Sequence, residues 1–360
     1  MLKKVVAAMS GGVDSSVAAA LLKDKGYQVS GVIMEIWGGE ALPEEGRRHA
    51  CYGPGEEEDV ADARRVCQML DIPFYALDLR DEYRTEVLDY YSGEYLSGRT
   101  PNPCYRCNSR IKFDALLGKA RQSGIEFDYF ATGHYARVEY SEEKQRYLLK
   151  KAVDRSKDQS YFISSLSQQQ LQYCMFPLGD YTKEEVRKMA AVYRLGVEDK
   201  PDSQDFMAGG HLSLIETAPA GPIADRMGNI LGEHRGLPHY TIGQRKGLGV
   251  TAEAPRYVVE IDAEKNTVVI GGRDEVYNDR LFAVGLNWIA EEAPNRPLRV
   301  KARIRHSHRE ADATVTPLSE SEAIVKFDRP QLAITPGQAV VFYQGDLVVG
   351  GGTIEKTGEI

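Results

Sequence analysis

Apolar and polar positions follow two different rhythms along this chain. In the first half, short apolar runs of strand length are interleaved with longer stretches of helical spacing. "KKVVAAM" is the first run, and "SSVAAALLKDKGY" follows with Val17, Leu21 and Leu22 at helical intervals. "YQVSGVIMEIW" reads as a second strand. "EEEDVADARRVCQMLD" reads as a helix with Val60, Ala63, Cys67 and Leu70 on one face, "IPFYALDL" as a third strand and "FDYFATGHYARV" as a fourth. Strands alternating with helices predict a parallel sheet covered on both faces. Ligands of such sheets bind at the carboxyl ends of the strands.

After about Lys200 the rhythm changes. "KPDSQDFMAGG" reads as loop, and glycine and proline are frequent through "GPIADRMGNILGEHRGLPHYTIGQRKGLG". From Arg256 onward the runs are short and β-rich: "RYVVEID", "NTVVIGG", "LRVKARIRH", "ATVTPL", "EAIVKFD" and "QAVVFYQGDLVVGGGTI". Turn residues separate them closely, as in a small barrel or sandwich. The expected division is an α/β nucleotide-binding module over 1–205, a small central domain over 206–275 and a C-terminal β-barrel over 276–360.

Composition adds bounds. The 360 residues suffice for two or three domains, and 42% hydrophobic with 27% charged residues is ordinary for a globular protein. "MLKKVVAAMSGG" has too short an apolar run for a membrane span or a signal peptide, so no membrane partner is expected. Five scattered cysteines, an odd number, argue against a disulfide scaffold and for a reducing cytoplasm. A net charge of -8 does not advertise nucleic-acid binding, but a local basic stripe can still serve. Arg299 to Arg309 carries five Lys/Arg residues, Arg303 and Arg305 among them, and reads either as a solvated strand face or as a phosphate track. Arg245 and Lys246 in "GQRKGLG" read the same way.

Two stretches carry candidate chemistry. "SGGVDSS", Ser10 to Ser16, joins the first strand to the first helix. Its glycines let backbone N–H groups turn toward an anion. Asp14 and Ser15 stand where a helix N-cap is expected, and the helix N-terminus adds positive potential. The Gly-Lys-Ser/Thr ending of a P-loop is absent, which disfavours γ-phosphoryl transfer. The second stretch, "RTPNPCYRCNSRIKFD", sets Cys104 and Cys107 three apart, with helix expected from Ile111. That spacing admits a redox pair, half of a metal site, or a sulfur nucleophile with a neighbour. Of the other cysteines, Cys67 and Cys174 read as packing, and Cys51 lies in an expected loop.

"SGGVDSS" resembles the loop of the pyrophosphatase-loop ATP enzymes, which cleave ATP between the α and β phosphates and attach AMP to a substrate oxygen. "GRTPNPCYRCNSRIKFDALL", "ATGHYAR", "KDQSYFISSLS", "PDSQDF", "GEHRGLPHYTIGQRKGLG" and "TPGQAVVFYQGDLVVGGGTI" are similar to segments of the tRNA-specific 2-thiouridylases, in that family's order and through nearly the whole chain. The resemblance implies a Rossmann-like sheet of the adenine nucleotide α-hydrolase type, then a central domain and a β-barrel. It also implies ATP with Mg2+, a tRNA anticodon loop as substrate, and a sulfur donor protein or sulfide source. By position it implies that Ala8, Met9, Ser10, Gly11, Gly12, Val13, Asp14, Ser15 and Met34 bind ATP, with Gly133 closing over it. Asn102, Pro103 and Cys104 would lie against the target base, and Cys107 would be the nucleophile. Lys157, Asp158, Gln159, His134, Arg303 and Gln338 would contact tRNA. Where that family often has a tyrosine, this chain has Ile304.

The implied chemistry is coherent. A uridine C2 oxygen leaves poorly until it is adenylated; sulfur then displaces AMP. The base must be flipped out of its stack, which costs least in a single-stranded loop. One departure stands out: the family's second, persulfide-carrying cysteine is replaced by Met207, and a thioether forms neither persulfide nor disulfide. Meanwhile Cys104 stands where many members have aspartate. Either Cys104 takes over in a relay with Cys107, or Cys104, Cys107 and Cys51 ligate a [4Fe-4S] cluster that carries sulfur, the preferred reading. A zinc half-site is weaker, for no second Cys-x-x-Cys exists. Two other functions compete: an adenylating amidotransferase, although no glutaminase domain is evident, and a degenerate tRNA-binding paralogue, which intact "SGGVDSS" and Cys107 argue against.

Overall fold

The structure is a computed structural model that describes residues 2–39, 50–200, 205–207, 212, 215, 218–252 and 254–358. Residues 201–204 and 208–210 of the "KPDSQDFMAGG" stretch lie outside the described residues. Contacts sort the chain into two units. One comprises Met1–Val87, Cys104–Ser213 and Gly345–Val348; the other comprises Leu88–Pro103, Leu214–Gln344 and Val349–Ile360.

The strands of the first unit, in chain order, are β1 (Lys4–Ala8), β2 (Gln28–Glu35), β3 (Ala50–Tyr52), β4 (Phe74–Asp78), β5 (Tyr129–Ala131), β6 (Ala136–Ser141), β7 (Arg146–Lys151), β8 (Cys174–Met175) and β9 (Asp205–Met207). Five of them form a wholly parallel sheet in the order β4-β2-β1-β5-β8. Helix α1 (Val13–Asp24) is alanine-rich and buried along most of its length, so it packs closely on β1 and β2. Helix α2 (Glu56–Met69) buries Ala63, Val66 and Cys67. Cys67 is fully core: a Cβ on Gly31 of β2 would come within 2.4 Å of its sulfur. Cys174 is buried too, its thiol donating to the Gln170 carbonyl at 3.1 Å.

Three sequence expectations are corrected here. "FDYFATGHYARV" is two strands, β5 and β6, because the chain leaves the sheet at Thr132–Tyr135 and β6 turns back in a hairpin with β7. Cys51 lies not in a loop but in β3, paired in parallel with β9: Ala50 faces Asp205 and Tyr52 faces Met207. The helix expected from Ile111 begins at Pro103. Proline lacks the N–H that a first-turn residue leaves unpaired, so it starts helices well. After Cys107 this helix widens to π geometry over Asn108–Ala115, then resumes as α over Leu116–Gln122.

In the second unit, the smaller sheet runs in the order Ile230–His234, Gly221–Ala224, Thr267–Gly271, Tyr257–Asp262 and encloses Ile223, Leu237, Tyr240, Leu248, Val258, Val268 and Ile270. The C-terminal strands form a closed barrel of Tyr277–Trp288, Glu322–Leu332, Ala311–Pro317, Leu298–Arg303, Ala339–Gln344 and Leu347–Thr357, with Tyr277–Trp288 also pairing Leu347–Thr357. Inward positions such as Val300, Ala302, Ala313, Val315 and Val325 alternate with more exposed ones, as barrel closure demands. No helix among the described residues is long and apolar enough to cross a membrane.

Candidate active site

The glycine-rich turn follows β1 at the carboxyl end of the parallel sheet. Gly11 takes φ +67, a left-handed conformation, and a Cβ there would lie 2.6 Å from the Asp59 carbonyl. The N-cap of α1 is Gly12, with no side-chain cap, so the expected capping by Asp14 or Ser15 does not occur: both lie inside the first turn. Their side chains instead brace the turn. The Ser15 hydroxyl accepts from the Ser10 backbone N–H at 3.1 Å and reaches the Gly12 carbonyl at 3.2 Å. Asp14 is gripped by the Lys183 ammonium at 2.8 Å and by the Tyr135 hydroxyl at 2.9 Å. Lys200 reaches the Gly11 carbonyl at 3.2 Å while paired with Asp59 and Asp62 at 2.8 and 2.7 Å. An uncapped helix start behind a braced glycine turn suits a polyphosphate.

Met34, half-buried, lies near the carboxyl end of β2, and Met9 is buried with its N–H on the Val32 carbonyl at 2.7 Å. Just past β2, the Glu56 carboxylate accepts from the Ile36 and Trp37 N–H groups at 2.7 and 3.0 Å; burial raises its pKa. Sequence reading missed Glu56, Lys183 and Lys200, whose signal lies only in distant partners.

Gly133 touches the same turn from the other side. A Cβ on it would stand 2.8 Å from the Asp14 carbonyl carbon and the Ser15 nitrogen, so only glycine lets this strand end approach α1. Its neighbour His134 packs against Phe113 and Phe176, with ring centroids at 6.0 and 6.3 Å, and Nδ1 meets the Thr132 hydroxyl at 2.8 Å. Burial and the nearby Lys112 ammonium pull His134 down to about 3, so it is neutral at ordinary pH.

The sulfur groups lie next along this path. Cys107 is buried and Cys104 half-buried, on one helical turn. Burial pushes Cys104 up to about 12 and Cys107 up to about 11, with the Lys112 ammonium pulling both back. Cys51, exposed on β3, is within electrostatic reach of both and of Lys112. Tyr83, stacked on Tyr52 at 5.5 Å, adjoins the same three sulfurs. Met207 is buried opposite Tyr52. Sequence reading had combined Cys51, Cys104 and Cys107 as ligands. Among the described residues, however, no three His, Cys, Asp or Glu side chains stand as a set able to hold a metal ion.

The expected tRNA-contacting residues are placed as follows. Asp158 is buried, its carboxylate accepting from the Ala152 N–H at 3.1 Å and the Ser160 hydroxyl at 2.9 Å. Gln159 holds the Tyr135 N–H at 2.9 Å, and the Lys157 N–H bonds the Asp154 carbonyl at 3.2 Å. In the second unit, Asn102 and Pro103 are half-buried, and Gln338 donates to the carbonyls of Thr100 and Pro101, both at 2.9 Å, holding the segment that leads to them. Arg303 donates to the His306 carbonyl, and Arg305 to those of Leu332 and Ala333 at 3.0 and 3.3 Å. Arg299 and Lys301 are paired with Asp328 and Asp312 at 2.7 and 2.9 Å. Ile304 is 1% exposed and belongs to the core, so no stacking surface stands there.

Comparison with known proteins agrees on the family. Residues 3–207 match the tRNA methyl transferase HUP domain, 212–272 the tRNA methyl transferase PRC-barrel domain and 278–354 the aminomethyltransferase beta-barrel domain. A tRNA-specific 2-thiouridylase MnmA from Moorella thermoacetica is 51% identical, over 98% of this chain and 99% of its own length. One from Acetivibrio thermocellus is 48% identical, over 98% and 99%. Among solved structures, a 4-thiouridine synthetase–RNA complex with bound ATP aligns at 17% identity and TM-score 0.36, covering 56% of this chain and 44% of that one. Near-complete coverage at such identity leaves one conclusion: the chain belongs to the tRNA-specific 2-thiouridylase family.

Proposed function

We propose that this chain replaces the C2 oxygen of a tRNA wobble uridine with sulfur, at the expense of ATP. One observation carries the reading: Gly133 packs on the glycine-rich turn, while His134 beside it packs on Phe113 of the helix that carries Cys104 and Cys107. A nucleotide cradle and a thiol-bearing helix thus meet at two consecutive residues. Ala8 to Ser15 with Met34 hold ATP, which brings its Mg2+, adenylation makes the C2 oxygen a leaving group, and Cys107 serves as nucleophile with Cys104 as its neighbour. Asn102 and Pro103 flank the flipped base, and Lys157, Arg303 and the Gln338-held segment meet the anticodon arm in the cytoplasm. The working division remains 1–205, 206–275 and 276–360.

The family descriptions speak of methyl transfer and the relatives' names of thiolation. Thiols beside an anion cradle support the second, because adenylation followed by sulfur attack uses both an ATP site and a sulfur nucleophile. The [4Fe-4S] reading has less behind it. As placed, the three cysteines form no ligand set, and no step is routed through a cluster.

The purified protein, given ATP, tRNA and a sulfur source, should release AMP and pyrophosphate and yield a wobble uridine with sulfur in place of oxygen by mass spectrometry. ADP release, or a gained methyl group, overturns the reading. Iron and labile sulfide in anaerobically purified protein, lost together in Cys104→Ala, Cys107→Ala and Cys51→Ala, would restore the cluster.

A further inference from the structure

The helix that carries both thiols has an unusual middle. Over Asn108–Ala115 it follows π geometry, in which each carbonyl meets the N–H five positions on rather than four. Such winding is rare and recurs at functional sites. Here it separates the α turn Pro103–Cys107 from the α stretch Leu116–Gln122. The far end is fixed by packing: Leu116, Leu117 and Ala120 are buried, and Phe113 stands edge-on to Phe130 and Phe176 at 5.3 and 6.1 Å. Tightening the segment to α winding would therefore swing the Cys104–Cys107 turn about the helix axis, by about 100° for each residue displaced.

One side chain from outside grips this segment. The Gln170 Nε2 donates to the Phe113 carbonyl at 3.1 Å and to the Ser109 carbonyl at 3.4 Å, which uses both amide hydrogens. Its Oε1 accepts from the Ser167 N–H at 3.0 Å, and the Ser167 hydroxyl accepts from the Gln170 N–H at 3.2 Å, so the same amide closes the capping box of the short helix Gln168–Leu171. The grip continues toward the thiols. The Ser109 hydroxyl reaches back to the Tyr105 and Arg106 carbonyls at 3.3 and 3.1 Å, both between Cys104 and Cys107. Asn108 Nδ2 adds a second tie, to the Phe162 carbonyl at 3.2 Å. A capping box accepts Glu as well as Gln at this position. The cap alone therefore does not call for an amide. The two carbonyls do, because only the amide offers them donors.

We propose that Gln170 is a positioning residue for sulfur transfer: it holds the π winding of Asn108–Ala115 and so sets the angle at which Cys107 is presented. This rests on the thiolation reading. The bonds of this grip involve no residue from Ala8 to Ser15, so adenylation is independent of Gln170 and the sulfur step alone depends on it.

Gln170→Glu is the discriminating variant, since it keeps the capping box but offers the two carbonyls no donor. In single turnover with ATP, tRNA and a sulfur source, pyrophosphate release should keep its wild-type rate. Thiouridine formation should slow about tenfold to a hundredfold, the scale of a misplaced reacting group. The KM values for ATP and tRNA should not move. Iodoacetamide should alkylate Cys107 several-fold faster, read by peptide mass spectrometry, as the thiol leaves its buried place. Ser167→Ala is the converse: it loses the cap and keeps the amide donors, so its melting temperature should fall while both rates and Cys107 alkylation stay as they are. A folded Gln170→Glu protein with wild-type thiouridine formation and alkylation overturns the assignment. So does an equal slowing of pyrophosphate release and thiouridine formation, the mark of general destabilisation. A wild type that releases pyrophosphate and never forms thiouridine removes the thiolation reading itself, and this assignment with it, a result distinct from the other two.

Discussion

Gly133 shows how much one missing methyl group can matter. A Cβ there meets backbone on α1, which cannot swing aside as a flexible side chain can. Gly133→Ala should therefore cost about 1–3 kcal/mol of stability through overpacking and weaken ATP binding, read by urea unfolding and calorimetric titration. Asp14→Asn should leave the fold intact but loosen the turn, because Lys183 loses its counter-charge; AMP release should fall while tRNA binding holds. His134 makes a pH prediction. Its folded pKa, about 3, lies below the ordinary 6.5, so the unfolded chain binds the extra proton first. Stability should fall as pH drops below about 6.5 and continue to fall toward about 3, and His134→Asn should flatten that part of a melting-temperature profile. The importance of Gly133 and His134 was legible in "ATGHYAR". That of Lys183 and Lys200 was not, because each is read only from partners distant in sequence, Asp14 for one and Asp59 with Asp62 for the other.

Among the elements, the parallel sheet was legible, for its strands are apolar runs between helices of clear period. The helix over 103–122 begins eight residues before the expected Ile111, because Pro103 opens it and the polar stretch that follows carries no apolar period. Its π segment has no sequence signature at all. The segment before it depends on a distant amide. Gln338 supplies donors to the Thr100 and Pro101 carbonyls, and the Thr100 N–H bonds the Pro336 carbonyl at 2.9 Å. Gln338→Leu should cost about 1–2 kcal/mol in urea unfolding, the loss expected when two bonds to one amide are broken. If Gln338 serves tRNA through this segment, the KM for tRNA should rise while the KM for ATP stays constant.

For the whole molecule, the net charge of -8 hides a divided basic stripe. Arg299 and Lys301 are paired with Asp328 and Asp312, whereas Arg303 donates to the His306 carbonyl and Arg305 to that of Leu332. A filter-binding series across salt concentrations should show this division. Arg303→Ala with Arg305→Ala should lower the slope of log affinity against log salt by about one to two; Arg299→Ala with Lys301→Ala should leave it almost unchanged. Equal effects would return the strand to the solvated-face reading.

The pairing of β3 with β9 carries a last consequence, one of timing. Cys104 and Cys107 share a helical turn and take their places as soon as that turn forms. Cys51 sits on a three-residue strand whose parallel partner, Asp205–Met207, comes about 150 residues later in the sequence, just before the chain re-enters the other unit. Such non-local pairing forms late, because a long stretch of chain must close before it is rewarded. A ribosome-bound chain that has exposed the glycine-rich turn, α1 and both helical thiols therefore still lacks the third sulfur's anchorage. Nucleotide affinity should appear on the growing chain before the sulfur cluster is complete, and the two capacities should separate in fragments that end on either side of β9.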